Sequence, residues 1–412
     1  MKLQHTAIAL ICSAALMMGV PHVAQAGPNA ALPKELPTYA PDKPLPVPEI
    51  KKAVLANGLE VWVVQRDGLP RVDAVFSVRN AGSSVDAPDT PGFAAMLAGL
   101  LSEGTRKRDS KGVAETAQSF GGSFSAGASN DGISVYANAL ASRAPQMLDL
   151  LAEVVRTPTF PDNEVALAKA NALQGLKASE AQPGFKAERA MLAAVYGDHP
   201  YARTQATEAS INAATAAGLR AAHAQRFRPD RALLVIAGKI EPKAAMRAVQ
   251  AAFGDWKAVG TPLPETPIAR TSAVPRKVLI ERADSVQSVI RLGRPAIKVS
   301  DADLFPLQLA GTVLGGSFSS RLMQNLREDK GYTYGARGGL NAQRNGGRLS
   351  ASADVRNEVT GAALGEFFAE FKRLGDEPVP AQELEDNKRF VAGGYLIGNQ
   401  LQGSVAGSLS GN

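Results

Sequence analysis

The sequence predicts an α+β protein made of two homologous domains, each an antiparallel-rich sheet packed with helices. Three observations predict it. Short β-rich runs alternate with amphipathic helical patterns over most of the chain after residue 50. The pattern then repeats. Pro161-x-x-Glu164 follows the first amphipathic helix and Pro380-x-x-Glu383 the second, an offset of 219. Gly121-Gly122 and Gly338-Gly339, each read as preceding a strand pair, are offset by 217. Finally, proline-rich passages at 27–49 and 262–275 separate the two patterned regions from what precedes and divides them. The resulting division is a signal peptide (1–26), a proline-rich leader (27–50), a first domain (51–255), a linker (256–275) and a second domain (276–412).

Taken in order, Lys2, the apolar run 7–20 and Ala24-Gln25-Ala26 have the charge, core and cleavage site of a secretory signal. The run is too short for a comfortable membrane span. The mature protein is therefore expected to be exported, most simply to a periplasm, and not inserted in the membrane. The one cysteine, Cys12, lies in this signal, as do His5 and His22. The mature chain keeps only His199 and His223, and neither disulfides nor thiolate chemistry are expected of it. The formal charge of +6, one less without Lys2, is spread over interleaved acids and bases. The densest basic cluster, Arg106-Lys107-Arg108, is followed at once by Asp109 and reads as a solvated loop, not a nucleic-acid site.

Residues 54–64 form a hairpin about Asn57-Gly58, and 72–79 a second strand. Helix 111–120 ends at Gly121-Gly122; strands 123–128 and 132–140, an amphipathic helix 144–155 and helical patterns over 163–226 follow. A buried strand at 232–237 and a helix at 242–253 close the first copy. The second begins with strands 277–282 and 286–293, then helices 303–314 and 318–329, strands 332–340 and 348–355, and helix 362–374. The first copy runs about ninety residues past Glu164 and the second 29 past Glu383, so the second is expected to lack its last helices and strand.

Between 89 and 105 the sequence DTPGFAAMLAGLLSEGT starts as helices do, with Asp89 or Thr90 as cap and Pro91 in the first turn. Phe93, Met96, Leu97, Leu100 and Leu101 make one apolar face. A second stripe of small residues, Ala95, Ala98, Gly99 and Ser102, has the same spacing. Interior Gly99 costs about 1 kcal/mol relative to alanine. Either a neighbour packs closely there, or a site has lost its side chains.

This chain resembles the pitrilysin/insulinase family of zinc metallopeptidases, in particular the processing-peptidase-like type, over about 50–400. The resemblance is carried by LANGLEVWVV, by PGFAAMLAGLLSEGT, by the run from Asp198-His199-Pro200-Tyr201 to the strand LLVIAG, and by SFSSRLMQNLREDKGYTYGARG. Active members carry an inverted zinc motif, H-x-x-E-H, whose two histidines share a helix face while the glutamate serves as general base. Laid on this chain, those positions are Ala95, Ala98 and Gly99. The later glutamate ligand falls on Gly175 and a supporting acid on Ala168. None carries a donor, so no metal or cofactor is expected on this chain.

The family also uses an arginine and, seven residues later, a tyrosine. Here these are Arg327, near a helix end that Gly331 closes, and Tyr334 on the next strand. The resemblance implies that Arg327 grips a substrate carbonyl or carboxylate and that Tyr334 hydrogen-bonds a developing oxyanion. Residue types alone would also allow a surface ion pair of Arg327 with Glu328 or Asp329 and a half-buried strand tyrosine. Tyr332, expected on the same strand face, is a lesser candidate. His199, beside Asp198, lacks a nucleophile-elbow pattern and reads as structural, as does His223. Gly315-Gly316-Ser317 reads as a hinge or turn, since a P-loop lysine is missing.

The resemblance thus implies a pseudoenzyme subunit, inactive alone. It would join a zinc-bearing subunit of the same family as a heterodimer, complete that active site with Arg327 and Tyr334, and help bind unfolded peptides along a sheet edge. The alternative is a structural or peptide-binding protein of this fold with no part in catalysis.

Overall fold

The hairpin that opens the fold pairs β1 (Lys51–Val54) with β2 (Glu60–Gln65). Its loop is longer than the two-residue turn expected. The Leu55 amide bonds the Leu59 carbonyl, Gly58 takes φ +91°, and the Asn57 amide nitrogen is held by the Phe253 and Trp256 carbonyls. The structure, a computed structural model, describes residues 45–411; the expected signal peptide and most of the leader lie outside them.

The first half continues with β3 (Arg71–Arg79), α1 (Phe93–Gly99), α2 (Ser110–Ser119), β4 (Ser123–Ala128), β5 (Gly132–Leu140), α3 (Ala144–Arg156), α4 (Asp162–Glu180) and α5 (Pro183–Tyr196). It ends with α6 (Glu208–Ala213), α7 (Ala216–Arg226), β6 (Ala232–Gly238) and α8 (Pro242–Phe253). The six strands form one sheet in the order β1-β2-β6-β3-β5-β4, antiparallel except for β2 beside β6. Alternation fixes the two faces of β3. Val72, Ala74, Phe76 and Val78 point into the main core with α1, α3 and α8, while Val75 points the other way.

The second half contains β7 (Gln287–Ala296), α9 (Leu304–Gly311), α10 (Arg321–Met323), β8 (Thr333–Gln343), β9 (Gly346–Arg356), α11 (Thr360–Asp376), α12 (Ala381–Gly398) and α13 (Gln402–Ser410). Its sheet has three strands, β7-β9-β8, all antiparallel. α9 runs into a π-helical turn, Thr312–Gly316, and α10 into another, Gln324–Asp329. Gly315 is a packing residue and not a hinge: a Cβ there would come within 2.2 Å of the Gly338 amide nitrogen on β8. Gly338-Gly339 therefore lies inside a strand, whereas Gly121-Gly122 precedes one.

The strand expected at 277–282 does not form. In the first half β2 is held between β1 and β6; beside 277–282 no described strand plays either part, and Val278, Leu279 and Ile280 are exposed. The passage at 256–275 is more than a spacer. Asn80 donates to the Leu263 and Pro264 carbonyls, Ser84 bonds Thr266 in the interior, and Trp256 and Ala269 are buried.

The halves exchange helices. α5 of the first half packs on β7, so closely that a Cβ on Gly293 would fall 2.9 Å from Met191 and Val195. α13 of the second half packs on β3 and β6, where Val405 and Ala406 cover Val64, Val75, Val235 and Ala237. The two hairpin turns also meet. Asp131, between β4 and β5, accepts from the Tyr201 hydroxyl and the Arg344 amide, and Asn130 donates to Gln343 at 2.5 Å.

If α13 holds the halves together, Val405→Asp will bury a charge against four aliphatic side chains. We expect a loss of about 3 kcal/mol or more in urea unfolding. Hydrogen exchange in β3 and β6 should rise with it; local exchange confined to α13 would contradict this.

Candidate functional site

The helix expected over 89–105 is shorter, and it is capped differently. α1 begins at Phe93, after Gly92 in the left-handed region at φ +81°; a Cβ there would lie 2.7 Å from that of Ala206. Neither Asp89 nor Thr90 caps it. Asp86 does, receiving the Ala94 amide at 3.1 Å on both carboxylate oxygens. Asp86 is buried with Arg226, whose Nη1 lies 2.9 Å away and also donates to the Ala81 carbonyl. Burial pushes the Asp86 carboxyl above the usual carboxylate range, and Arg226 and the backbone amides oppose that shift.

Leu97 on α1 and Leu100 and Leu101 in the turn that follows it are core, as their spacing predicts. Ala98 is also core, whereas Ala95 and Gly99 face solvent. A Cβ on Gly99 would meet nothing within 4 Å, and the same holds for Gly175 on exposed α4. Close packing therefore does not account for Gly99. The space is open, and it lacks donor atoms. Ala95, Ala98, Gly99 and Gly175 do not fit a zinc ion, nor does Ala168, which packs partly against the core. Among the described residues no three His, Cys, Asp or Glu side chains converge on a point where a metal could bind.

Both histidines serve the backbone. His199 receives the Tyr201 amide on Nδ1 at 3.2 Å, and its Nε2 bonds the Pro267 carbonyl at 2.8 Å, pinning the 256–275 passage. His223 is buried, stacks on Phe227 and donates from Nε2 to the Val155 carbonyl at 2.8 Å. Burial pushes its imidazole down to about 4, against the opposing pull of that bond. Sequence reasoning missed Asp86, Arg226, Asp131 and Tyr201. Burial and the Asp131 carboxylate push the Tyr201 phenol well up, so it stays a donor between the halves.

Arg327 lies in the π-helical turn Gln324–Asp329, which Gly331 ends at φ +62°. Its guanidinium sits 4.7 Å from the Phe318 ring centre and its Nε 3.3 Å from Glu328. The turn is held from below by Asn325, which donates to Glu366 at 3.0 Å and Glu370 at 2.9 Å. Arg321, in α10, makes a two-pronged bond to Glu383 at 2.8 Å. Tyr334 is not half-buried: at 92% it is among the most exposed side chains of the protein. Tyr332, two residues earlier, does not share its face but packs against the second core. Tyr332 precedes β8, its amide bonded to the Leu326 carbonyl at 2.8 Å just after the left-handed Gly331, so strand alternation does not reach it. A β-bulge follows, since Thr333 pairs with Val355 and Ala336 with Ala353, leaving one extra residue on β8.

Residues 74–208 match the family model for insulinase (peptidase family M16), and 213–391 match that for the peptidase M16 inactive domain. The chain belongs to the insulinase family, M16. A Bacillus subtilis member named uncharacterized zinc protease YmxG is 28% identical over 358 residues, 84% of each chain. A Helicobacter pylori member named non-peptidase homolog YmxG is 24% identical over 328 residues, 77% of this chain and 74% of its own. A crystal structure described as the peptidase M16 inactive domain from Pseudomonas fluorescens superposes with TM-score 0.79 at 27% identity, covering 88% of this chain and 86% of that one. The M16 fold, two related halves of helices and sheet, is thus the one predicted. No described helix is long and apolar enough to cross a membrane.

Gly99→Ala should stabilise the protein by up to about 1 kcal/mol, because the space is open and alanine favours helix; a destabilised variant would restore the packing account. For His223, the folded-state value of about 4 lies below the ordinary 6.5. The unfolded chain binds the extra proton between them, so this stabilisation is complete above pH 6.5 and disappears as pH falls towards 4, about 3 kcal/mol in all. A His223→Gln variant should show a shallower fall of stability over that window.

Proposed function

We propose that this chain is the metal-free subunit of a heteromeric zinc metallopeptidase. It is exported to the periplasm, inactive alone, and closes against a zinc-bearing M16 chain. One observation carries the reading. Tyr334 stands exposed with its hydroxyl free of any hydrogen bond to a described residue, while the metal positions of this chain are alanine and glycine over open space. An exposed phenol on β8 and a guanidinium on the helical turn that precedes the strand suit a reacting centre supplied from outside, with Arg327 holding a peptide carbonyl or carboxylate and Tyr334 donating to a developing oxyanion. Phe318 and Glu328 orient the guanidinium in the meantime. The name of the Helicobacter pylori relative is consistent with a member that does not cleave peptides by itself.

The contrasting reading, a structural or peptide-binding protein without a catalytic part, draws on the Arg327–Glu328 pair, which could simply be surface chemistry. Co-expression with an M16 chain carrying H-x-x-E-H separates them. With turnover of a quenched peptide as readout, Tyr334→Phe and Arg327→Ala should each lower kcat/KM by about 100-fold or more while the complex still forms. Unchanged turnover in an intact complex would remove the catalytic part. Stoichiometric zinc and turnover in the single chain would remove the whole proposal.

A further inference from the structure

The second sheet has one face against α9–α11 and another that its own half leaves bare. Pairing register identifies the side chains on the bare face. Arg291 of β7, Ser352 of β9 and Arg337 of β8 stand in one row across the three strands. Gly293, Ser350 and Gly339 form the next row, and Pro295, Arg348 and Asn341 the one after. With strands about 4.8 Å apart, the two arginines flank the serine at about 10 Å.

These arginines are not equivalent. Arg291 bonds Asp354 at 3.0 Å, and Arg348 bonds Glu188 at 3.1 Å. Arg337 is exposed and forms no ion pair with any described acidic side chain. Around it the surface is bare: a Cβ on Gly335 or Gly339 would meet nothing within 4 Å. On the first sheet the corresponding face is apolar and lies under α13; on the second, α5 covers the β7 side at Gly293. At β8 the face is open. Arg356, opposite Gln287, shares the face and bonds only the Gly331 carbonyl among the described groups. The cations on this face, Arg291, Arg337, Arg348 and Arg356, exceed the acids that pair with them, Asp354 and Glu188.

We propose that this open face at β8 is a binding wall for acidic peptide segments in extended form, with Arg337 as the residue that receives their carboxylates. The bulge after Thr333 puts Tyr334 and Arg337 on the same side of β8. Gly335 and Gly339 let a peptide backbone approach the sheet, and Ser350 and Ser352 offer hydroxyls beside the guanidinium. Charge complementarity selects the occupant, because an uncompensated arginine fork matches a carboxylate in both geometry and sign. The proposal extends the reading above by naming a substrate class, but its test needs neither the partner chain nor turnover.

The probe is a fluorescein-labelled unstructured peptide of about a dozen alternating Glu and Ser residues, titrated into the full chain and followed by anisotropy. Its isostere with Gln for Glu serves as the neutral control. We expect the acidic peptide to bind at least ten-fold more tightly than the neutral one, and Arg337→Gln to abolish about ten-fold of that affinity. Arg337→Lys should restore part of it, and Arg106→Gln, which removes a distant exposed charge, should leave it unchanged. Equal losses in the Arg337 and Arg106 variants would mean unspecific attraction and overturn the proposal, as would absence of binding or equal binding of both peptides. Those outcomes leave the roles proposed for Arg327 and Tyr334 open to their own assay.

Discussion

The exchange of α5 and α13 between the halves is the constraint on which the rest of the structure depends. A sheet has two faces, and the helices of each half cover only one. The other face of the first sheet presents Val64, Val75, Val235 and Ala237, which no element of that half shields. Burying such a set beneath Val405 and Ala406 is worth on the order of 5–10 kcal/mol, comparable with the net stability of a whole domain. α5 performs the converse task at β7, and the contact is so close that a Cβ at 293 would displace Met191 or Val195. Neither half is complete without a helix from the other. The 219-residue offset that relates Pro161 and Pro380 also relates the starts of these two helices, so the exchange is an internal property of the repeat.

This dependence explains how the fold holds although Ala95, Ala98 and Gly99 carry no donor atoms. α1, the helix that bears Ala95, Ala98 and Gly99, is fixed at its start by the Asp86 carboxylate, beneath by Leu97, and past its end by Leu100 and Leu101. Asp86 is in turn fixed by Arg226 at the end of α7. Removing one partner of that buried pair would strand a charge, which is far more costly than omitting side chains that point to solvent at Ala95 and Gly99. Stability and chemistry occupy different faces of one helix.

Periodicity made much of this legible. Strands 123–128 and 132–140 and helix 242–253 were bounded correctly because alternation and 3.6-residue spacing are local signals. What the sequence concealed is non-local. The cap of α1 is Asp86, six residues before Gly92, and its merit depends on an arginine 140 positions away. Residues 277–282 have strand composition, yet strand formation needs neighbours, and composition does not reveal whether they exist. That Ala95, Ala98, Gly99 and Gly175 carry no donor atoms was readable residue by residue, whereas the openness above Gly99 and Gly175 was not, since a small side chain signals close packing and empty space alike.

The two tyrosines at the start of β8, one just before it and one within it, show the same limit at the candidate site. Tyr332 and Tyr334 are two residues apart, and a regular strand would put both on one face. Tyr332, however, precedes β8 and is tied by its amide to the Leu326 carbonyl, while the extra residue between Thr333 and Ala336 acts further on, where it brings Tyr334 to the face of Arg337. Tyr332 belongs to the core, and Tyr334 belongs to the face that carries Arg337. One inserted residue therefore decides that the Tyr334 phenol and the Arg337 guanidinium share a face. The π-helical turn at Gln324–Asp329 has a comparable effect on Arg327, since one extra residue in a helix rotates all that follow by about 100°. Both irregularities flank the Gly331 reversal, and both direct polar side chains outward from a segment whose apolar residues, Leu326 and Tyr332, remain in the core. Two local departures from regular geometry, each anchored by packing behind it, give this half its outward-facing chemistry.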